Sequence, residues 1–417
     1  MSEPFTLTGH KPADGELPKG WRDSSLGEVA KFLNGRAYKK DELLESGKYR
    51  VLRVGNFFSN NSWYWSDLEL EESKYCDRGD LLYAWSASFG PRIWDGEKVI
   101  FHYHIWRIVE DRDQVDKTWL RHWLDNDVER IKAAVGTGTT MMHVTKREME
   151  KRAISIPSHA EQERIVEILE EQLSRLDAAL ESVRVVREKA EQFRRSLLHA
   201  AFTGTLTGHN RIDWANCSLG ELATINYGYT ESASDEPIGP KFLRITDLRI
   251  GGVSWNEVPF CLISATELEK HRLADGDIVF ARTGATTGKS FLVKDPPESV
   301  CASYLIRLQP NCDLVDPNYL NRFFQSDEYW AQIHGGISGT AQGGFNATKL
   351  SALVAPIPPL LIQHQIVQEL DEQLSRLDAA LAVADAIEKR SAALRRSLLH
   401  AAFTGRLTEK WRESVHV

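Results

Sequence analysis

The decapeptide EQLSRLDAAL occupies residues 171–180 and returns unchanged at 372–381. RRSLLHAAFTG behaves the same way, at 194–204 and again at 395–405, with the same offset of 201 residues. A shared offset marks one duplicated unit, and a chain built on such a unit has its architecture largely decided by it. IPSHAEQ (156–162) against IPPLLIQ (357–363) carries the match upstream. Fainter pairs precede each copy: Trp21 with LGEVA (26–30) against Trp214 with LGELA (219–223), VLRVGN (51–56) against FLRITD (242–247), and GDLLYAWS (79–86) against GDIVFART (276–283). The offset drifts among these pairs, as expected where loops between paired elements differ in length. The chain is therefore organised as A-h-A′-h′, a variable globular half and a nearly invariant helix, then both again.

The helical copies show an apolar seam. Val166, Leu169, Leu173, Leu176, Leu180 and Val183 step by three and four, and Val367, Leu370, Leu374, Leu377 and Leu381 do so in the second copy. The seam is then expected to slip by three residues onto Val186, Ala190, Phe193 and Leu197, and onto Ile387, Leu394 and Leu398 in the repeat. Ser158 and Glu161 have capping-box spacing at the first start, and Gly204 stands where a C-cap glycine belongs. Each helix should run about 45 residues, or about 65–70 Å. A rod of that length exposes its seam unless paired, so an intramolecular antiparallel pair is expected. Separate dimerising coiled coils are the alternative. A seam needs only its apolar positions kept, yet RRSLLHAAFTG also keeps Arg, Ser, His and Thr. That surface suggests two equivalent docking sites, at Arg194, Arg195, His199 and Phe202 and at Arg395, Arg396, His400 and Phe403.

The expected fold class is α+β: two mixed α/β domains separated by two long helices, with a pseudo-twofold internal repeat. The segments are a first globular domain at 1–155, a first helix at 156–207, a second domain at 208–356, a second helix at 357–410 and a tail at 411–417.

At 417 residues and 42% hydrophobic, the chain is large enough for more than one core. It has no run of about 18 apolar residues and no secretory pattern at Met1, so a cytoplasmic protein is expected. The five scattered cysteines, none in a CxxC, are expected to be reduced and buried, with neither a disulfide framework nor a zinc site. The formal charge is −8. Residues 1–157 hold 24 Lys/Arg against 25 Asp/Glu, and 206–358 hold 12 against 17. Neither half can grip nucleic acid by bulk electrostatics, so tight DNA binding would need a basic partner.

The stretch ARTGATTGKS (281–290) imitates a nucleotide-binding P-loop. A Walker A loop places four residues between its first Gly and Gly-Lys, whereas Gly284 and Gly288 are separated by three. No apolar helix comes after it, and the equivalent AWSASFGPR (84–92) has no Gly-Lys. A nucleotidase built on Lys289 is the weaker reading. The donors Arg282, Thr283, Thr286, Thr287 and Lys289 suit phosphates and base edges instead. Trp85, Ser86, Ser88 and Arg92 hold comparable places in the first half. Two further loops, GTGTTMMH (136–143) and GGISGTAQGG (335–344), add Thr137, Thr139, Thr140, His143 and Gln342, with Asn346 just beyond.

Two variable domains, each continuing into IPxxxxQ…QLSRLDAAL…RRSLLHAAFTGxLT, resemble the specificity (S) subunit of type I restriction–modification systems. The resemblance spans essentially the whole chain and is most specific in the helical repeats and in ARTGATTGKS. It implies a non-catalytic subunit that binds double-stranded DNA, each target recognition domain reading one half of a bipartite, asymmetric sequence. The helices would set the spacer and dock two methyltransferase subunits, which restriction/translocase subunits would join. No cofactor would be bound by this chain; S-adenosylmethionine, ATP and Mg would belong to the partners. Asp295-Pro296-Pro297-Glu298 lacks the aromatic that an adenine methyltransferase needs behind Pro-Pro to stack a flipped base. A methylation-only or related phage-defence assembly is an alternative within the family, and a coiled-coil scaffold without a DNA role an alternative outside it.

Overall fold

In the computed structural model, the described residues are 17–58, 60–86, 88–135, 144–249, 252–337 and 345–415. The chain divides into two compact units, 1–183 with 386–417 and 184–385, so the division falls inside each long helix.

The first unit holds a four-stranded antiparallel sheet in the order 30–34, 105–110, 81–86, 88–93. Leu81–Ser86 is buried along nearly its whole length, as befits a strand covered on both faces. A second four-stranded sheet runs in the order 64–66, 49–52, 99–101, 75–76. A two-stranded ribbon pairs Arg22–Ser25 with Ala153–Ile156. The second unit repeats the larger sheet as 223–227, 305–310, 278–281, 290–292, and the ribbon as Ala215–Ser218 with Val354–Ile357. Ion pairs recur at matched places, the half-buried Arg107 with Asp80 at 3.6 Å and the buried Arg307 with Asp277 at 2.9 Å. Burial pushes the Asp277 carboxyl up, against the pull of Arg307.

The preserved glutamine of IPxxxxQ has a structural task. Gln162 is fully buried, accepts from the Asp116 amide at 2.7 Å and donates to Gln114 O and Pro157 O, each at 3.0 Å. Gln363 does the same with the Asp316 amide (2.8 Å), Leu314 O (3.0 Å) and Pro358 O (2.8 Å). Each side chain satisfies backbone groups of the domain that would otherwise be orphaned beside the helix start.

The long helices are His159–Thr203 and Leu360–Phe403. Gly204, with φ +84°, ends the first; a Cβ there would lie 2.3 Å from His209 O. Only half of the expected capping box forms. The Glu161 amide donates to Ser158 Oγ at 3.4 Å, but the Glu161 carboxylate turns to Thr408 Oγ1 (2.6 Å) and to Arg412 Nε and Nη2 (3.0 and 2.8 Å). The segment expected as a tail therefore contains a helix, Glu409–Val415, with Arg412 buried.

Within each unit the helix segments run antiparallel. Asp177 pairs with Arg395 at 3.0 Å in the first, and in the second Arg187 pairs with Asp385 at 2.6 Å and Arg194 with Asp378. The 201-residue repeat maps Asp177–Arg395 onto Asp378–Arg194. The expected slip of the seam is not found. Val183, Ala190 and Leu197 are buried, as are Ala384 and Ser391, so the spacing of three and four runs on through Arg187 and Arg194. Val186 (45% exposed), Phe193 (46%), Ile387 (40%) and Leu394 (52%) stand outside it. The arginines fit because their guanidiniums reach carboxylates beside the seam, while their stems lie along it.

Candidate nucleic-acid interface

In the second unit the strands 278–281 and 290–292 are joined by the Gly-rich loop. Gly-Lys-Ser thus leads into a strand, not a helix. The amides of Thr287, Gly288 and Lys289 donate within the hairpin, to Gly284 O, Ala281 O and Thr286 O, so this end of the loop cannot cradle a phosphate as a P-loop does. Gly284 and Gly288 take φ +74° and +93°, and Tyr329 clamps the loop by donating to Gly288 O at 2.7 Å. At its mouth the Arg282 guanidinium lies 4.9 Å from the centre of the Tyr227 ring. No carboxylate pairs with Arg282 among the described residues, and its Nε is buried without a hydrogen-bond partner. Tyr227 is 42% and Tyr304 63% exposed; the Arg282 amide donates to Tyr304 O at 3.2 Å. Lys289 is exposed nearby in sequence.

Several of the expected contacts are occupied otherwise. The Thr287 hydroxyl donates to Gly284 O at 2.8 Å and the residue is buried. Thr286 Oγ1 donates to Thr283 O at 3.3 Å, and Thr283 precedes the short turn Gly284–Thr286. Asn346 is exposed but caps the helix Ala347–Ser351, accepting from the Lys349 amide at 2.8 Å. Gln342, like Thr137, Thr139, Thr140 and His143, lies outside the described residues.

In the first unit, the place of Arg282 is held by Trp85. Its indole N–H donates to Tyr103 O at 2.9 Å and its ring stacks on Trp106 at 5.6 Å. Ser86 is buried, contrary to its expected role. Ser88 falls in the strand Ser88–Ile93. Arg92 donates to Phe57 O at 2.9 Å and pairs with Asp95 at 3.3 Å, so its charge is spent inside its own domain. The open feature here is one that the strand-loop pattern does not single out: a cavity of ≈ 480 Å³ lined among others by Arg53, Asn56, Asn60, Tyr64, His102 and His104. Burial, with the charges of His104 and Arg53 acting the same way, lowers the His102 pKa to about 4. At neutral pH this imidazole is an uncharged donor and acceptor. The repeat itself holds the signal, since Arg53 stands in VLRVGN, the counterpart of FLRITD.

The expected docking residues divide. Arg195, His199, Arg396 and His400 are exposed. Phe202 and Phe403 are not available, being 1% and 2% exposed. Phe202 packs edge-on against Tyr319 at 5.4 Å, and Phe403 against Trp119 at 5.7 Å; they are kept because they complete the domain cores. Arg194 and Arg395 are held by the aspartates named above. Of the cysteines, Cys76, Cys261 and Cys301 are buried as expected, Cys217 is half-buried and Cys312 is exposed. Burial pushes the Cys261 and Cys301 thiols up to about 11 and about 12. Among the described residues no helix is long and apolar enough to cross a membrane, and no cluster of His, Cys, Asp and Glu could hold a metal ion.

Comparison with known proteins agrees with this geometry. A family model described as the type I restriction modification DNA specificity domain matches twice, at 18–183 and 211–383. The chain is 23% identical over 422 residues to the type I restriction enzyme EcoBI specificity subunit of Escherichia coli, covering 94% of this chain and 87% of that one. It is 25% identical over 436 residues to the EcoKI specificity subunit of Escherichia coli K12, covering 95% and 91%. Among solved structures, one chain of a type I R-M system superimposes with a TM-score of 0.64 at 18% identity, covering 94% of this chain and all of that one. The HsdS subunit from Thermoanaerobacter tengcongensis gives 0.51 at 20% identity, covering 94% and 98%. With one copy of the family domain in each half, this chain belongs to the type I restriction–modification DNA specificity family.

Proposed function

We propose that this chain is the non-catalytic sequence-reading subunit of a cytoplasmic type I restriction–modification complex, each globular domain reading one half of a split, asymmetric DNA target. The observation that carries the reading is a division between what the repeat keeps and what it varies. Gln162 and Gln363 make the same three hydrogen bonds, and Asp80–Arg107 matches Asp277–Arg307. The open ends differ: Trp85 against Arg282, and His104 against Tyr304. One scaffold presenting two sets of side chains is what reading two unlike half-sites requires.

Neither domain carries an excess of positive charge, so the duplex is held jointly with partners. Two methyltransferase subunits carrying S-adenosylmethionine would dock on the two copies of the helical repeat, and restriction/translocase subunits would bring ATP and Mg. Phe193 and Leu394 occupy the same repeat position and are about half exposed. Leu394 borders a shallow groove with Leu176, Leu398 and the stems of Gln172 and Arg175. Paired apolar spots of this kind suit an amphipathic helix from each methyltransferase subunit.

The helices would act as an antiparallel coiled coil that sets the unread spacer. Because the seam keeps its heptad spacing, removing 184–190 together with 382–388 deletes one heptad from each helix. It leaves the Asp177–Arg395 and Arg194–Asp378 pairings in register. The rod shortens by about 10 Å, which corresponds to about three base pairs of B-DNA at about 34 Å per turn. The spacer in the methylated motif is expected to shorten accordingly while both half-sites stay the same. An unchanged spacer would remove the helices from any measuring role.

A further inference from the structure

The two domains differ in how they treat a matched pair of residues. In the second domain Arg244 is bound by Asp247: the Asp247 carboxylate accepts from the Arg244 amide at 2.9 Å, from Nε at 3.0 Å and from Nη2 at 2.9 Å. Its charge is cancelled in place. In the first domain the counterparts are Arg53 and Asn56, and a neutral amide cannot form that ion pair. No carboxylate pairs with Arg53 among the described residues. Its guanidinium lies instead 5.2 Å from the centre of the Tyr64 ring, itself 43% exposed, at the cavity that also exposes His102 and His104. The situation is reversed one strand away. There the second domain has Arg282, without a carboxylate partner among the described residues and set on Tyr227, while the first has Trp85 with its N–H spent on Tyr103. Among the described residues, each domain thus offers a guanidinium without a carboxylate partner resting on an exposed tyrosine, supplied from different positions of the shared scaffold.

We infer that Arg53 is the specificity-determining side chain of the first domain, reading a guanine edge in its half-site as Arg282 reads one in the other. The inference rests on the DNA-reading function proposed above. A planar guanidinium presents the fork that matches guanine O6 and N7, and stacking on Tyr64 holds that fork out from the surface. Asn56 leaves it unquenched because its amide is turned elsewhere, donating to Asn60 O at 3.0 Å and Ser62 O at 2.6 Å.

The test is to map modified adenines in the genome of cells carrying the complete system with wild-type chain, Arg53→Ala, Arg53→Lys or Asn56→Asp. Arg53→Ala should relax the motif at one G·C pair of one half-site, with discrimination there falling by about 5–150-fold, and leave the other half and the spacer intact. Asn56→Asp rebuilds the second domain's clamp and should relax the same position with Arg53 still present. Arg53→Lys, which keeps the charge but not the fork, should relax it as well. Arg244→Ala should leave the motif as it is. An unchanged motif in Arg53→Ala, or an unchanged motif methylated uniformly less in both Arg53→Ala and Asn56→Asp, overturns the inference and leaves Arg53 at most a phosphate contact. If the wild-type gene confers no bipartite motif, the DNA-reading function itself fails, which is a separate result. Unfolding midpoints of the purified variants within about 2 °C of wild type show that a relaxed motif does not come from a damaged domain.

Discussion

Replacing Arg412 with alanine is expected to destabilise the first compact unit by about 3–5 kcal/mol, the range typical of removing one partner from a buried ion pair. Glu161 and Arg412 are both buried, and Arg412 supplies two of the three hydrogen bonds that the Glu161 carboxylate receives. It also donates to Gly405 O at 2.6 Å and lies 5.8 Å from the centre of the Trp21 ring. Without it the carboxylate of Glu161, a residue 2% exposed, keeps among the described residues only the Thr408 hydroxyl. The companion change Glu161→Gln removes the stranded charge, so Glu161→Gln with Arg412→Met should recover much of the loss. The check is thermal unfolding of the three variants beside wild type. A loss below about 1 kcal/mol in Arg412→Ala would mean that the C-terminal helix is not tied down as described, and a double variant no better than Arg412→Ala would deny the stranded charge.

The second large effect is on assembly. Exchanging Phe193 and Leu394 together for glutamate should abolish co-purification with the methyltransferase subunits, and either exchange alone should leave a complex with one methyltransferase subunit. Centrally placed apolar anchors typically contribute about 2 kcal/mol or more to an interface, about 30-fold in affinity per site, and a buried carboxylate adds a desolvation cost. Both side chains are already about half exposed, so the chain alone should keep its unfolding midpoint. Size-exclusion chromatography with light scattering resolves the three stoichiometries. Full assembly by the double variant would place the docking surface elsewhere, with the exposed Arg195, His199, Arg396 and His400 the next to exchange.

The duplication makes the order of elements legible in the chain alone, because identical strings 201 residues apart admit one explanation. The long helices can be read from the seam, to within a few residues at each end. The seam's second half is misread when apolar residues are counted as its only members. Arg187 and Arg194 occupy seam positions through their stems and their aspartate partners, which a pattern of hydrophobicity does not show. Phe202 and Phe403 are misplaced for a related reason: preservation in both copies looks the same for a docking residue and for a core residue, and only the aromatic contacts with Tyr319 and Trp119 separate them. At the interface, ARTGATTGKS points to Arg282, but carrying its position into the first domain leads to Trp85 and Arg92, whose donors are spent. What the sequence hides is pairing. Arg53 and Arg244 are the same residue in the same motif, and the single exchange of Asn56 for Asp247 decides which of them carries an available charge.

The central claim is that this chain decides which DNA sequence its complex modifies. The most direct measurement is the map of N6-methylated adenines in genomic DNA from cells with the gene, without it, and with it restored. The account predicts one bipartite, asymmetric motif that disappears with the gene and returns with it, while the methyltransferase subunits are present throughout. The same motif, equally methylated in cells lacking the gene, would contradict it.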